Sequence, residues 1–446
     1  MKKSLLLISL VSVTFFFACK KDEVKSPYDA KYTTETPEES KAKVEDNAVA
    51  FVDQLDAMTS STGMQVLQNF SNLQSGGSYA MNPVLTPLSA VSKLKDKSAA
   101  PAVFQSLKAT EELFYEDPVN FSDLFDSIAG RYTYNFETEE FDRTDLADQV
   151  VFEFPGKETD ITNTATLTIN NFKVVDITDP VSDWPEGLDP QLPASIKVDL
   201  KYNDASVAGM SFAASYQSNG MPTKVTVSVF VDDFSFTTTA VHSPYTSASW
   251  TNTLKLKSDI LFETYIAAKG NWSEENIDNN TTEETYSNDY DTWTETTVHF
   301  EEIVKNANAH LILMNLNVTG QVDIKGLGDA IWALDENETL GDEERAQAEV
   351  DAINQFAKLV VIYRDSNTKI AEAEAYVESE YDEYYETTEY YPALRFVYSD
   401  GSTVDMETYV NSELDNFYVS MNDFIDNLNA EYDLNLGHVG PQTPVK

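Results

Sequence analysis

The chain has 446 residues, enough for one large domain or for two to three ordinary ones. Hydrophobic residues make up 42% of it, which supplies side chains for a sizeable core and excludes wholesale disorder. Its 75 acidic residues against 30 basic ones give a formal charge of −45, so the surface repels phosphate backbones and nucleic acid is excluded as a partner.

The first residues have the pattern of an export signal. Lys2 and Lys3 precede an uncharged stretch from Leu5 to Ala18. This stretch is shorter than the ~20 residues that a membrane-spanning helix needs, and it is typical of a signal peptide. Ala18 stands directly before Cys19, the only cysteine of the chain, so no intramolecular disulfide can form.

Residues 1–18 followed by Cys19 resemble the signal peptide and lipobox of bacterial lipoproteins. The resemblance implies cleavage after Ala18 and acylation of Cys19, which would anchor the protein to a membrane through its lipid. The tract from Lys20 to Glu23 resembles the export signal of surface lipoproteins in Bacteroidota-type bacteria. We therefore expect a lipid anchor in the outer membrane, with exposure on the cell surface favoured over the periplasmic face.

The polar residues 19–44 predict a flexible tether behind the lipidated cysteine. Between 45 and 129 the spacing of apolar residues predicts a helical segment, including a helix at 102–115. Alternating apolar and polar residues then predict antiparallel strands throughout 130–325, one of them a long strand at 309–318.

Both patterns occur in the C-terminal segment, residues 326–436. They predict helices at 327–334, 342–363 and 407–431, strands near 369–378 and 392–398, and a disordered tail at 437–446. The whole chain thus predicts an α+β fold, in which N-terminal and C-terminal helices pack on a large, curved, mostly antiparallel sheet with meander connections. The layout resembles that of uncharacterised Bacteroidota-type lipoproteins, a resemblance that implies no activity.

Sequence motifs for catalysis are missing. The chain has no Gly-x-Ser-x-Gly, no His-Glu-x-x-His and no glycine-rich phosphate loop. Its four histidines show no metal-binding spacing: His242, His299, His310 and His438. Residues 271–302 hold ten acids and no Lys or Arg, and although calcium prefers such oxygen ligands, we interpret this stretch as a solvated loop without a metal.

Aromatic residues beside acids suit a glycan-binding surface, but packing on strands explains them equally well. They are Trp184, Trp250, Trp272, Trp293, Tyr381, Tyr384, Tyr385, Tyr390 and Tyr391. Without a predicted catalytic residue, cofactor or metal, the sequence favours a non-catalytic binding or structural module of the cell envelope. Its partner would be an envelope protein, a glycan or an apolar ligand. The alternatives are a half-barrel carrier of an apolar ligand or lipid, and an acidic surface hydrolase.

The Cys19→Ser variant tests the anchor. In a bacterial host that processes lipoproteins, we expect the variant to leave the membrane fraction and to incorporate no labelled fatty acid, because the acylated residue is gone. Cell fractionation and labelling measure both effects. A variant that stays membrane-bound and labelled contradicts the prediction.

Overall fold

The computed structural model describes residues 26–74, 121–180, 190–287, 292–335, 337, 339–382, 386–412, 414–432 and 436–439. Ala18, Cys19, the helix predicted at 102–115 and residues 440–446 of the predicted tail lie outside the described residues.

Eighteen strands are described, and they alternate with helices at both ends of the chain. The first ten strands are β1 (Gly130–Asn135), β2 (Glu140–Thr144), β3 (Val150–Phe154), β4 (Ala165–Asp176), β5 (Gln191–Tyr202), β6 (Ala205–Tyr216), β7 (Pro222–Val231), β8 (Phe234–Ser243), β9 (Ser247–Leu256) and β10 (Asp259–Gly270). The others are β11 (Thr281–Ser287), β12 (Thr292–Val298), β13 (Val304–Leu313), β14 (Leu316–Asp323), β15 (Ala357–Tyr363), β16 (Thr368–Asp382), β17 (Thr387–Tyr398) and β18 (Thr403–Asp405).

The described helices comprise one short 3-10 helix, Pro27–Asp29, and nine α-helices. These are α1 (Pro37–Asp56), α2 (Thr62–Gln74), α3 (Phe121–Ile128), α4 (Glu274–Asn279), α5 (Phe300–Ile303), α6 (Ile324–Asp335), α7 (Asp342–Phe356), α8 (Met406–Ser412) and α9 (Asp415–Tyr432).

One open sheet of sixteen strands organises this chain. Its strand order is β18-β17-β16-β15-β14-β13-β10-β9-β8-β7-β6-β5-β4-β3-β1-β2, while β11 and β12 form a separate hairpin. Neighbours in the sheet pair antiparallel, except that β1 and β3 run parallel because β2 folds back along the outer edge. The predicted α+β fold with a large, mostly antiparallel meander and packed helices is confirmed.

Cross-strand register gives the sheet one continuous apolar face. Phe152 lies opposite Leu167, Leu167 opposite Leu200 and Leu200 opposite Ala208, and mostly apolar residues continue on this face to β17. Because side chains alternate along a strand, the intervening residues form the opposite face. We call these two surfaces the apolar face and the opposite face.

Helices bury the apolar face near both edges and at one end of the strands. Phe70 of α2 and Phe125 of α3 pack in a core with β1–β6. Helices α6 and α7 bury a second core on β13 and β14, including Val322. Helices α1 and α9 close a third, in which Phe51 and Phe424 meet the ends of β8 and β10.

The N-terminal segment 26–36, which we call the strap, crosses from one face to the other. Tyr28 and Ala30 pack on Val360 and Ile362, on the opposite face of β15. The amide of Thr33 donates to the carbonyl of Lys369 at 2.8 Å, which fixes the strap at the start of β16. Helix α1 then starts on the apolar face.

The predicted tether of residues 19–44 is therefore wrong from residue 26 onward. Thr36 begins α1 with a capping box in which its hydroxyl accepts from the amide of Glu39, and this motif stabilises a helix start. Val44 in this helix packs beside Val361 and Tyr363. A polar composition concealed a segment held by backbone pairing and a few aromatic contacts.

Three boundaries in the second half of the chain are corrected as well. Helix α7 ends at Phe356, because the buried run Leu359–Tyr363 is rich in β-branched residues and forms central strand β15. The strand predicted at 309–318 is broken at Met314, where a φ of 53° makes a hairpin turn. Strands β15–β18 continue the same sheet, so the sheet extends beyond the predicted bound at residue 325.

Replacing Phe154 by alanine tests the first core. Phe154 is fully buried and its ring lies 4.5 Å from that of Phe70, so we expect Phe154→Ala to lower the free energy of unfolding by about 3–5 kcal/mol. Urea denaturation measures the change. The exposed Phe136 is the matched control, and an equal loss for Phe136→Ala would contradict this account.

Candidate functional site

The middle of the apolar face is a candidate binding surface. Four large apolar side chains are well exposed there: Val229 (38%), Phe236 (42%), Ile266 (46%) and Leu311 (39%). They surround Thr238, Trp250, Asn252 and Thr264, and we call these eight residues the central patch. Direct pairs across β7, β8, β9, β10 and β13 put all eight on one face, and five strands span about 20 Å.

The central patch lies between the helix-covered cores. Helices α2 and α3 pack on β4–β6, and α6 and α7 pack on β13–β17. Helices α1 and α9 reach the sheet at Phe234, Leu254 and Leu256, next to the turns. Within the described part of the chain, no helix packs along the length of β7, β8 or β9, so no described helix covers this stretch of the apolar face.

Charge is missing from this surface. Across strands β6–β10 and β13, the paired residues of the apolar face include one charged side chain, Asp259, at the turn end of β10 and outside the central patch. The opposite face of the same strands carries Lys224, Lys255, Glu263 and Lys269. An uncharged, largely apolar surface exposed on a protein of charge −45 is typical of an interaction site.

A small polar network lies at the centre of the patch. The hydroxyl of Thr238 and the indole Nε1 of Trp250 each donate to Asn252 Oδ1 at 2.8 Å. Asn252 Nδ2 donates to the hydroxyl of Thr264 at 3.1 Å. The network orients Trp250 and fixes Asn252, so a polar group on a bound ligand would meet pre-positioned donors and acceptors.

Hydroxyl and ionisable groups line the opposite face of these strands. Ser228 and Thr237 lie 3.0 Å apart, and Thr253 donates to Glu263 Oε2 at 2.9 Å. His310 Nε2 lies 2.8 Å from Glu263 Oε1, and both side chains are largely buried. The hydrogen bond from His310 lowers the pKa of Glu263 below its ordinary value.

The structure separates the four histidines. His242 accepts from the indole of Trp272 at 3.2 Å, and His438 lies 2.8 Å from Asp426. His299 lies 3.2 Å from Glu301, at the start of helix α5 and not in a strand. Each histidine thus has its own neighbour in a different part of the fold.

The interpretation of residues 271–302 as a loop is wrong for the described residues. They form helix α4, the hairpin of β11 and β12, and helix α5. Asp289 and Asp291 lie outside the described residues. Among the residues that are described, no three His, Cys, Asp or Glu side chains gather into a group that could hold a metal ion.

The predicted aromatic cluster does not form one platform. Tyr390 pairs with Ser379 and Tyr391 with Glu378, so the two tyrosines point to opposite faces of β17. Tyr381 is exposed on the same face as Tyr390. Trp184, Tyr384 and Tyr385 lie outside the described residues. Trp250 belongs to the central patch, and Trp293 lies in β12.

The sequence did not reveal Val229, Phe236, Ile266 and Leu311 as a surface. Alternation placed each of them in a strand, but their shared exposure depends on which strands the helices leave open. Within each strand from β6 to β10, one alternating set of residues lacks charge. This sequence signal identifies a shared surface only once the cross-strand register is known.

A separate cleft of about 660 Å³ lies at the turns beside α1. Its lining includes Asn47, Asp259, Arg364 and Asp365. These polar groups distinguish it from the apolar central patch.

No protein-family model matches this chain, and no curated protein or solved structure is similar to it. In the described part of the chain, every helix is too short or too polar to cross a membrane.

The Glu263–His310 pair predicts a pH dependence of stability. The lowered pKa of Glu263 contributes stability above the ordinary value of 4.5, and this contribution is lost as the pH falls through the folded-state pKa. We expect Glu263→Gln to be less stable than the parent at neutral pH, and the difference in free energy of unfolding to narrow as the pH falls below 4.5. Urea titrations at several pH values measure this, with the exposed Glu389→Gln as control. Parallel stability curves for parent and Glu263→Gln would contradict the prediction.

Proposed function

We propose that this protein is a lipid-anchored, non-catalytic binding module of the cell envelope that holds an uncharged, largely apolar ligand on the central patch. The exposed apolar surface of Val229, Phe236, Ile266 and Leu311 carries the proposal. Attachment through Cys19 in the outer membrane rests on the resemblance of residues 1–23 to lipoprotein signals.

The chemistry of the patch defines the ligand. A surface without ionised groups cannot compensate the desolvation of a charged ligand, so the part of the ligand in contact with it is neutral. The apolar side chains favour a hydrocarbon surface, and burial contributes about 25 cal/mol per Å² of contact. The network around Asn252 favours one hydrogen-bonding group near the middle of the ligand. A neutral, lipid-like molecule has this combination.

A second copy of the chain fits the patch less well. Pairing two copies through it would bring together two bodies with a formal charge of −45 each, and their repulsion opposes association. A small neutral ligand avoids this cost. The patch is also an open surface and not an enclosed cavity, so the ligand would lie across the strands.

Binding of the neutral fluorescent probe N-phenyl-1-naphthylamine tests the proposal. We expect the probe to bind the parent protein, and Val229→Glu to weaken binding by roughly tenfold or more, because the ligand would desolvate a carboxylate. Fluorescence titration gives both dissociation constants.

Val241→Glu is the matched control. Val241 is a valine with the same exposure of 38%, it lies on the strand next to Val229, and it points to the opposite face. We expect near-parental binding for this variant. Equal weakening by the two substitutions, or no binding by the parent, would refute the assignment of the ligand to the central patch. Analytical ultracentrifugation of the parent tests the second-copy alternative, which a dimer lost in Val229→Glu would support.

A further inference from the structure

We infer that the lipid anchor turns the opposite face of β13–β16 toward the bilayer, so that the central patch opens away from the membrane that holds the protein. This orientation rests on the proposed acylation of Cys19 and goes beyond it, because it assigns the surface that meets the lipid.

The first step is the length of chain between lipid and fold. Described structure begins at Ser26, whose carbonyl accepts from the amide of Asp29 at 2.9 Å. Six residues separate Cys19 from Ser26, and the seven Cα-to-Cα steps between them reach at most about 25 Å when fully extended. Ser26 therefore lies within about 25 Å of the bilayer surface, whatever conformation those residues adopt.

The second step is the face on which the fold begins. Tyr28 and Ala30 pack on Val360 and Ile362, opposite the helix-covered side of β15. Burial raises the pKa of the Tyr28 phenol to about 12, consistent with a ring enclosed by its neighbours. Two backbone hydrogen bonds hold the strap to Lys369. The amide of Thr33 donates to the carbonyl of Lys369, and the amide of Lys369 donates to the carbonyl of Lys31, each at 2.8 Å.

The third step compares the two sides of the sheet on which the lipid could lie. Tyr28 and Ala30 already pack on the opposite face, so a lipid on that side requires no detour of the tether. A lipid on the helical side would require the same short tether to pass the edge of the sheet and a helix layer about 10 Å thick. The short tether therefore favours the opposite face as the surface that meets the bilayer.

The same geometry determines where the central patch points. The patch belongs to the face that carries α1, α6, α7 and α9. A ligand on it would come from the side away from the anchoring bilayer, and the patch would not insert into that membrane.

Energy transfer to labelled lipid tests the orientation. The full chain would be produced in a lipoprotein-processing host and reconstituted into vesicles of phosphatidylethanolamine and phosphatidylglycerol with a headgroup acceptor. Because Cys19 is the only cysteine, an introduced cysteine is the only free thiol after acylation. The donor is attached either at Gln321→Cys, exposed on the opposite face of β14, or at Gln355→Cys, exposed on α7 over the apolar face.

We expect more efficient transfer from position 321 than from position 355. The two positions are matched in residue type and in exposure, and they lie at the same end of the strands on different sides of the sheet. A twenty-residue Gly/Ser insertion after Lys25 should reduce the difference, because the longer tether lets the domain turn. Equal efficiencies without the insertion, or more transfer from position 355, would overturn the orientation.

Fatty-acid labelling of the same preparations separates the two levels of the proposal. A labelled, vesicle-bound protein with the reversed order of efficiencies refutes the orientation and leaves the anchor intact. A protein without label that fails to bind vesicles refutes the anchor and the orientation together.

Discussion

Each strand of the sheet turns one set of side chains toward the helices and the other toward water, and a slip of one residue in any pair would exchange the two sets. From β3 to β17 the two sets keep their faces, because β-bulges absorb the shifts in register between paired strands. All the cores form on the single face that results, apart from the small contact of the strap with Val360 and Ile362. The edges are closed by two short strands, β2 and β18, which offer little backbone for further pairing.

The distribution of charge follows from the same alternation. The chain has 105 acidic and basic residues, yet the central patch includes none of them. The paired charges of its strands lie on the opposite face, apart from Asp259 at the turn end of β10. Repulsion among the acids is therefore spread over the outer surfaces, where solvent and salt screen it. The central patch can stay apolar because the other face of the same strands keeps the sheet soluble.

Much of the fold could be predicted because many segments follow a single period. Ile196 to Tyr202 alternates strictly and lies in β5, and the stripe of Phe417, Met421 and Phe424 lies in α9. The segment before Tyr363 was misread because Leu359 and Val360 fit a helical stripe as well as a buried strand, and only the pairing with β14 decides between them. The strap could not be predicted, because Tyr28 and Tyr32 find their partners more than 300 residues away.

The central patch shows the same limit at the level of the site. Trp250 could be singled out in the sequence as an aromatic residue near polar ones. The roles of its hydrogen-bond acceptor Asn252 and of the adjacent Ile266 become visible only when the cross-strand pairs are known. Exposure of an apolar residue is a property of what the other elements leave open. It depends on where the helices lie, and a local sequence pattern does not contain that information.

The long separation between strap and partner has a consequence for the order of folding. Most sheet neighbours are consecutive in sequence, so the meander has a low contact order and can grow as hairpins from the N-terminal side. The strap is different, since Lys31 and Thr33 must wait for Lys369, and α1 must wait for α9. In a nascent chain that emerges N-terminus first, the strap therefore stays undocked until β16 has been synthesised. Docking of the strap would then be a late step of folding, which joins the two ends of the chain on the finished sheet.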